Sequence, residues 1–400
     1  MNFKEFGLDE RLMEGIEAIN YESATVVQQR VIPLVLAGKD VIASAQTGTG
    51  KTAAYLLPLI HKIISAKQDD HINALVIVPT RELAVQIAQN LEGLSYFTPV
   101  SSIAVYGGGD GESFSTEKRA LSKGADIVIC TPGRMISHLN QGYVQIKSLQ
   151  YLVLDEADRM LDMGFYDDIM KIISFLPAER QNLLFSATMP PRIRELARKI
   201  LFQPEEINIS ISKPPEKIVQ QAFVVYDNQK IALVKFLLKS KDFKSVLIFC
   251  SRKNNVKQLS NELKRSGLSI EEIHSDLDQP SREQVLLDFK SRRLKILVAT
   301  DILSRGIDIE DIDLVINYDV PHDGEDYIHR IGRTARAETE GIAYTFIGET
   351  EQNKFLAIEE LLGKPVPKAI IPEQFGETPP YLPRKFKARR KNFGGPSRRH

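Results

Sequence analysis

The chain has 400 residues, of which 43% are hydrophobic and 26% are charged, a composition typical of a globular protein. At roughly 100 to 200 residues per domain, this length predicts two or three domains. The sequence contains no apolar run near the roughly 18 residues of a membrane span and begins without the apolar core of a signal peptide. We therefore expect a cytoplasmic protein with no membrane partner.

The charges are unevenly distributed, although 52 basic and 52 acidic residues give a formal net charge of zero. Residues 384–400 contain eight Lys or Arg and no acidic residue, so residues 1–383 carry 44 basic against 52 acidic residues, a net charge of −8. From residue 371 the chain is rich in Pro, Gly and basic residues, which predicts a disordered tail. The two cysteines, Cys130 and Cys250, each close an apolar run and are interpreted as core residues.

The chain begins with a helical pattern in which Leu8, Leu12, Ile16 and Ile19 recur. Tyr21 follows this helix, and Gln28 lies in the next helical run. Taken alone, Tyr21 is a packing residue at a helix end and Gln28 is a solvated helix residue.

Residues 45–52 form a loop between an apolar run at 41–43 and a helical stretch at 53–62. Glycines in this loop can take positive φ and let backbone N–H groups approach an anion at the positive end of a helix. In this pattern Lys51 reaches the β and γ phosphates, and the Thr52 hydroxyl takes one position on Mg²⁺. The pattern predicts a nucleoside triphosphate site, and a plain glycine-rich turn is the alternative. The predicted contacts are Ala45, Gln46, Thr47, Gly48, Thr49, Gly50, Lys51 and Thr52.

Further apolar runs end in loops that hold Thr, Gly or Arg, at the strand ends where open α/β sheets bind ligands. Such groups can hold a phosphodiester backbone without reading its sequence. Each loop, taken singly, is a turn or a helix cap. The candidate residues are Arg81, Gly107, Gly108, Thr131 and Arg134.

An acidic tetrad, residues 155–158, follows the buried run 151–154. Charges buried there are costly without a cation. Beside a triphosphate loop, Asp155 is the expected partner of hydrated Mg²⁺, and Glu156 is placed to orient the attacking water. The run 182–185 ends in Ser186 and Thr188, whose hydroxyls can bond Asp158; a simple polar turn would have the same sequence.

The second half repeats the alternation of strands and helices after a proline-marked connection near residues 203–215. It lacks a triphosphate loop and instead carries Arg330, Arg333 and Arg336. These arginines are either a solvated face or the second wall of a nucleotide site, with positive charge meeting the γ-phosphate when the halves close.

These motifs, in this order and spacing, resemble those of the DEAD-box RNA helicases, over roughly residues 3 to 365. The run from residue 152 to 165 most resembles the bacterial RhlE-like branch. The resemblance implies a preference for ATP, with Tyr21 stacking on adenine, Gln28 bonding its edge and Phe3 as an upstream aromatic. In that motif Asn20, Ala24 and Val27 replace the common Gly, Pro and Ile. Ser23 replaces a frequent basic residue.

In the second half, the resemblance makes Arg333 and Arg336 arginine fingers and His329 a link between the nucleotide and RNA sites. It places Asp308 near the ATP ribose. The same comparison adds Gln279, Arg282 and Thr300 to the residues that touch RNA phosphates.

The resemblance implies two α/β domains of the RecA-like type, each a mainly parallel sheet flanked by helices. We expect these over residues 1–208 and 218–370, with a linker at 209–217 and a basic tail at 371–400. The implied activity is ATP hydrolysis stimulated by RNA and coupled to local, non-processive unwinding of short duplexes. The alternatives are an ATP-gated RNA clamp and a DNA-directed motor of the same superfamily.

RNA is the expected partner, held through phosphates and 2′-hydroxyls without base readout. We expect a monomer that acts in ribosomal or RNA-decay assemblies. Beside such chemistry, the clustered cations of the tail favour a non-specific RNA tether over a role in solubility alone.

Overall fold

The computed structural model describes residues 1–45, 48–66, 71–108, 111–209, 218–300, 311–322, 324–334 and 341–383, with only the backbone of residues 240 and 325. The described chain divides into two compact units, one within residues 1–209 and one from residue 218 onward. Most of the predicted linker, residues 210–217, lies outside this description.

The first unit contains a parallel sheet whose strands are short and mostly apolar. These strands are β1 (Val41–Ser44), β2 (Ala74–Ile77), β3 (Ser102–Val105), β4 (Ile127–Cys130), β5 (Tyr151–Leu154), β6 (Gln181–Ser186) and β7 (Glu205–Asn208). They lie in the order β3-β4-β2-β5-β6-β1-β7, and every pair is parallel. The helices are α1 (Glu10–Ala18), α2 (Val26–Leu36), α3 (Lys51–Ser65), α4 (Arg81–Ser95), α5 (Gly111–Lys123), α6 (Pro132–Leu139), α7 (Ala157–Asp162), α8 (Tyr166–Ile173) and α9 (Pro191–Ile200). A 3₁₀ helix, Phe3–Phe6, precedes them.

The side chains of this sheet enter two separate cores, one on each face. In β2, Val76 belongs to the core that packs against α1 to α4, while Leu75 and Ile77 belong to the core on the opposite face. This is the period-two alternation of a strand that is buried on both sides. The sheet is therefore covered by helices on both faces.

The second unit contains a six-stranded sheet of the same kind. Its strands are β8 (Ile218–Val224), β9 (Val246–Cys250), β10 (Ile270–Ile273), β11 (Ile296–Thr300), β12 (Leu314–Asn317) and β13 (Gly341–Ile347), in the order β10-β11-β9-β12-β13-β8 and all parallel. The helices are α10 (Asp227–Ser240), α11 (Lys253–Lys264), α12 (Gln279–Lys290), α13 (Gly324–Ile331) and α14 (Gln352–Leu362), with 3₁₀ helices at Glu349–Glu351 and Glu373–Phe375. The predicted α/β class with two mainly parallel sheets is confirmed.

Residues 366–383, which we call the C-terminal strap, pack against the second unit beyond the predicted domain end at 370. The strap pairs with β8 through Lys368 and Ala222, and the amide of Gln229 donates to the carbonyls of Phe375 (2.8 Å) and Glu377 (2.9 Å). The Tyr381 hydroxyl donates to Glu359 (2.8 Å). The packed chain thus ends later than the sequence predicts, and the cationic part of the tail, 384–400, lies outside the described residues.

Both cysteines are buried with free thiols, as predicted. Among the described helices, none has the length and apolar character that a membrane span needs.

Candidate functional site

Two groups of predicted site loops lie along the carboxyl edge of the first sheet. Strands β5, β6 and β1 are neighbours, and the acidic tetrad, the Ser186 loop and the glycine-rich loop follow them. Strands β3, β4 and β2 are also neighbours, and the loops proposed to hold a phosphodiester follow those three. Because carboxyl ends of parallel strands share one edge, the strand order places the two groups side by side.

The glycine-rich loop has the conformation that its glycines predict. Gly48 and Gly50 have φ of 80° and 87°, and Gly50 is the N-cap of α3. A Cβ on Gly50 would lie 2.5 Å from Gln28 Nε2, so a side chain there would be strained by φ and would also displace the end of Gln28. Ala45 continues β1, since its N–H donates to the Ser186 carbonyl (3.1 Å). Gln46 and Thr47 lie outside the described residues.

Two side chains donate hydrogen bonds to carbonyls of this loop, one from α2 and one from the residue that caps α2. Gln28 is buried, which contradicts its interpretation as a solvated residue, and its Nε2 donates to the Gly50 carbonyl (3.2 Å). Thr25 donates from its hydroxyl to the Thr49 carbonyl (2.8 Å) and caps α2. The sequence analysis missed Thr25, although Thr25-x-x-Gln28 is the pattern of a capping box. The adenine contact of Gln28 stays a prediction.

Tyr21 lies where a helix end leaves its ring partly exposed, at 37%. The ring stacks on Phe3, with centroids 6.1 Å apart and planes at 25°. The preceding Asn20 has φ of 57°, in the left-handed region that glycine occupies freely and Asn tolerates. Asn20 can therefore replace glycine there with little conformational cost.

Lys51 is the first residue of α3, and its ammonium group is buried. The residue is 6% exposed, and Nζ has no hydrogen-bond partner within the described part of the chain. An unpaired buried ammonium is costly unless an anion reaches it. This atom therefore fits a bound phosphate.

Asp155, at the end of β5, is 3% exposed and held through both oxygens. Its Oδ1 accepts from the Glu156 N–H (2.9 Å), and its Oδ2 accepts from the Tyr55 hydroxyl (3.0 Å). Burial raises the pKa of Asp155 above its ordinary value, while the nearby positive charge of Lys51 opposes that shift. A buried carboxylate near an ammonium and a hydroxyl suits a hydrated divalent cation.

Glu156 is the N-cap of α7 and has φ of 51° and ψ of 48°, an uncommon conformation for a non-glycine residue. Its carboxylate accepts from Arg159 Nη1 (3.0 Å), and both side chains are nearly buried. Strained backbone of this kind persists where surrounding contacts determine it. Arg159, absent from the predicted site, thus holds the carboxylate proposed to orient water.

Asp158 contacts both residues predicted to couple with it, in a different way from that expected. Its Oδ2 accepts from the Thr188 backbone N–H (2.9 Å), and its own N–H donates to Ser186 Oγ (3.3 Å). The Ser186 hydroxyl donates to the Thr188 carbonyl (2.7 Å). The Thr188 contact to Asp158 therefore runs through the main chain, and its hydroxyl is not the donor.

On the other half of the edge, Arg81 begins α4 and lies against the glycine loop after β3. Its guanidinium is 4.7 Å from the centre of the Tyr106 ring. Gly108 has φ of 90°, and a Cβ there would lie 2.1 Å from Arg81 Nη1. Glycine suits this position because of its positive φ, and a larger residue would also displace the end of the Arg81 side chain.

Arg134 lies on α6, one turn after Thr131, and is held by residues outside the predicted set. Its Nε donates to Glu117 Oε2 (2.7 Å), and its guanidinium is 4.6 Å from the Phe114 ring centre. The same Glu117 oxygen lies 2.7 Å from His138 Nε2. Arg134 Nη2 is buried without a hydrogen-bond partner among the described residues, so the side chain retains a donor for a ligand.

In the second unit, the predicted RNA contacts follow β11 and begin α12. Thr300 is the last residue of β11 and is half-buried. Gln279 and Arg282 are half-buried on the first turn of α12, and Gln279 Nε2 donates to Glu283 (2.9 Å).

The three arginines of the second unit differ in their surroundings. Arg330 is 4% exposed, donates from Nη1 to Asn317 Oδ1 (3.0 Å), and lies 5.1 Å from the Phe249 ring centre. It is a core residue of its unit, which corrects the interpretation of all three as one wall. His329 and Arg333 are half-buried, and Arg336 and Asp308 lie outside the described residues.

Two family models match the chain. A DEAD/DEAH box helicase model matches residues 25–196, and a helicase conserved C-terminal domain model matches residues 229–338. The first match contains the loops around Lys51 and Asp155, and the second contains Thr300 and Arg333.

Similar proteins carry helicase names. The chain is 45% identical over 363 residues to the ATP-dependent RNA helicase CshA of Listeria monocytogenes, covering 90% of the chain and 69% of that protein. It is 40% identical over 361 residues to the DEAD-box ATP-dependent RNA helicase CshA of Bacillus subtilis, covering 90% and 72%. The assignment to an RhlE-like branch stays a prediction.

Solved structures agree with these matches. S. cerevisiae Dbp5 bound to RNA and ADP BeF3 has a TM-score of 0.82 and 30% identity, covering 92% of this chain and 95% of that one. Mss116p bound to ssRNA and AMP-PNP has a TM-score of 0.80 and 30% identity, covering 93% and 80%. The two units have the RecA-like fold, and the chain belongs to the DEAD-box family of RNA helicases.

Proposed function

We propose that the protein is an ATP-dependent RNA helicase, in which RNA-stimulated ATP hydrolysis drives local, non-processive unwinding of short duplexes. The observation that carries this proposal is the buried Lys51 ammonium, which has no hydrogen-bond partner among the described residues and lies on the helix whose Tyr55 donates to the buried Asp155. The relatives named for ATP-dependent RNA helicase activity support it.

The residues present fit Mg²⁺ and ATP. Thr52 and Asp155 would hold the ion, which when bound neutralises charge on the phosphates. Lys51 binds the β and γ phosphates, and the backbone N–H groups at the start of α3 add donors. Glu156, whose carboxylate accepts from Arg159 Nη1 (3.0 Å), would orient the attacking water. We assign Arg333 and Arg336 the role of arginine fingers, by the likeness of their motif to that of the family.

RNA would bind along the other half of the sheet edge. Arg81 and Arg134 are cations held in place by an aromatic ring each, and Gly107, Gly108 and Thr131 add main-chain and hydroxyl donors. Contacts of this kind hold a phosphate backbone without base readout. The solved relatives with RNA or ssRNA bound support RNA as the ligand. A monomeric state, a cytoplasmic location and a role in ribosomal or RNA-decay assemblies stay predictions of the sequence.

Steady-state ATP hydrolysis, measured with and without single-stranded RNA and with matched DNA, tests the proposal. We expect RNA, but not matched DNA, to stimulate ATP hydrolysis strongly in the wild-type protein. The Glu156→Gln variant should lose ATP hydrolysis and still bind nucleotide. ATP-dependent RNA binding without increased turnover would favour the clamp, and equal stimulation by DNA would contradict the RNA selectivity.

A further inference from the structure

Tyr55 lies on the same face of α3 as the two residues proposed for the phosphates and the metal. It follows Lys51 by four residues and Thr52 by three, the spacings that bring helical side chains together. The side chain is fully buried, and its ring packs against Phe185 of β6 with centroids 5.1 Å apart. The hydrophobic core therefore sets the position of the hydroxyl group.

The hydroxyl contacts one of the two proposed magnesium ligands, because it donates to Asp155 Oδ2 (3.0 Å). The other oxygen, Oδ1, accepts from the Glu156 N–H (2.9 Å). The carboxylate is thus held at both oxygens, and each oxygen keeps a lone pair available for a cation.

We propose that Tyr55 is a positioning residue that orients Asp155 for magnesium-bound ATP. The inference rests on the proposed function and deepens it. A phenylalanine would fill the same space in the core, so packing alone does not require the hydroxyl. A buried hydroxyl also has to be hydrogen-bonded, and its partner here, Asp155, belongs to the proposed metal site.

The test is the affinity of the full chain for a fluorescent ATP analogue, measured with Mg²⁺ and again with EDTA. Tyr55→Phe removes the hydroxyl and keeps the ring. We expect the gain in affinity due to Mg²⁺ to fall about tenfold, as for loss of a hydrogen bond to a charged group, while the affinity in EDTA stays unchanged.

Tyr327→Phe is the matched control, because Tyr327 is equally buried and its hydroxyl donates to Gln220 Oε1 (3.0 Å) in the second unit. This variant should keep the wild-type response to Mg²⁺. A Tyr55→Phe protein with the wild-type response, or with equal losses in Mg²⁺ and EDTA, would overturn the proposal. A wild-type protein that binds no nucleotide would instead overturn the proposed function itself.

A double-mutant cycle keeps the inference testable if Tyr55→Phe lowers the melting temperature. In an Asp155→Asn background, the positioning role predicts that Tyr55→Phe causes no further change in the Mg²⁺ response, because its partner is already altered. Additive effects would show that Tyr55 acts independently of Asp155 and would contradict the proposal.

Discussion

Thr25 ties α2 to the glycine-rich loop with a single hydroxyl group. This group donates to the Thr49 carbonyl and accepts from the Gln28 N–H (3.4 Å). Thr25→Val removes both bonds and keeps the shape of the side chain. We expect a loss of about 1 kcal/mol in unfolding free energy, as for other lost N-caps, and a several-fold weaker affinity for ATP.

Thr80→Val provides the control, because Thr80 is also an N-cap threonine and accepts from the Leu83 N–H (3.3 Å). It precedes α4 on the other half of the sheet edge. Nucleotide titrations without RNA, together with urea unfolding, should show a similar loss of stability and unchanged ATP affinity. Equal losses of affinity in both variants would mean that Thr25 acts only through stability.

The individual contacts were predictable to different degrees. Thr25 and Gln28 are three residues apart, so local sequence carries the signal of their capping box. Tyr55 and Asp155 are 100 residues apart, and Glu117 contacts Arg134 from a different helix. Such pairs depend on how helices and strands pack, and no local pattern encodes that. Single-sequence reasoning therefore found the residues of the motifs and missed those that hold them.

At the scale of elements, Glu117 joins α5 to α6. Burial raises the pKa of this carboxyl, but hydrogen bonds from His138 and Arg134 outweigh burial and hold the pKa below its ordinary value. A carboxyl whose pKa is lower in the folded state than in the unfolded state stabilises the fold at any pH above its unfolded-state pKa. This stabilisation is lost as the pH falls through the pKa of the folded state. The joint between α5 and α6 should therefore weaken in acid.

Glu117→Gln tests this joint. At pH 7 the variant should lose about 1 to 3 kcal/mol in unfolding free energy, because the Arg134 guanidinium and the His138 ring lose their carboxylate partner. Below the ordinary carboxyl pKa of 4.5 the difference between variant and wild type should shrink. Urea unfolding across pH measures it, and a difference independent of pH would contradict the charge-based explanation.

The strands that the sequence analysis found are those with continuous apolar runs, such as β1, β5 and β6, which contain the runs 41–43, 151–154 and 182–185. It missed β7, β8 and β10, which lie at sheet edges, and also β13, which lies between β12 and β8. Only Ile207 of β7 is buried, and β10 reads Ile-Glu-Glu-Ile. An edge strand has one side open to solvent and can carry polar residues, so hydrophobic periodicity is weak there. The residues near 205, interpreted as part of the connection, form β7 instead.

At the scale of the whole molecule, the C-terminal strap separates the packed chain from the basic tail. Residues 371–383 contain two acidic residues and no Lys or Arg, whereas residues 384–400 contain eight Lys or Arg. The strap is held through Gln352, whose Nε2 donates to the Pro380 carbonyl (2.8 Å) and whose Oε1 accepts from the Leu382 N–H (2.7 Å). Composition predicted a single tail because Pro and Gly occur on both sides of the boundary.

Two truncations distinguish the roles of strap and tail. Ending the chain at residue 383 removes eight cations and none of the described contacts. RNA affinity should fall and its dependence on salt should flatten, because fewer counterions are released on binding, while the melting temperature stays the same.

Ending the chain at 370 should also lower the melting temperature, since the bonds of Gln229, Gln352 and Glu359 to the strap are lost. Unchanged RNA binding in the chain that ends at 383 would leave the tail only a role in solubility. An unchanged melting temperature in the chain that ends at 370 would show that the strap adds little stability.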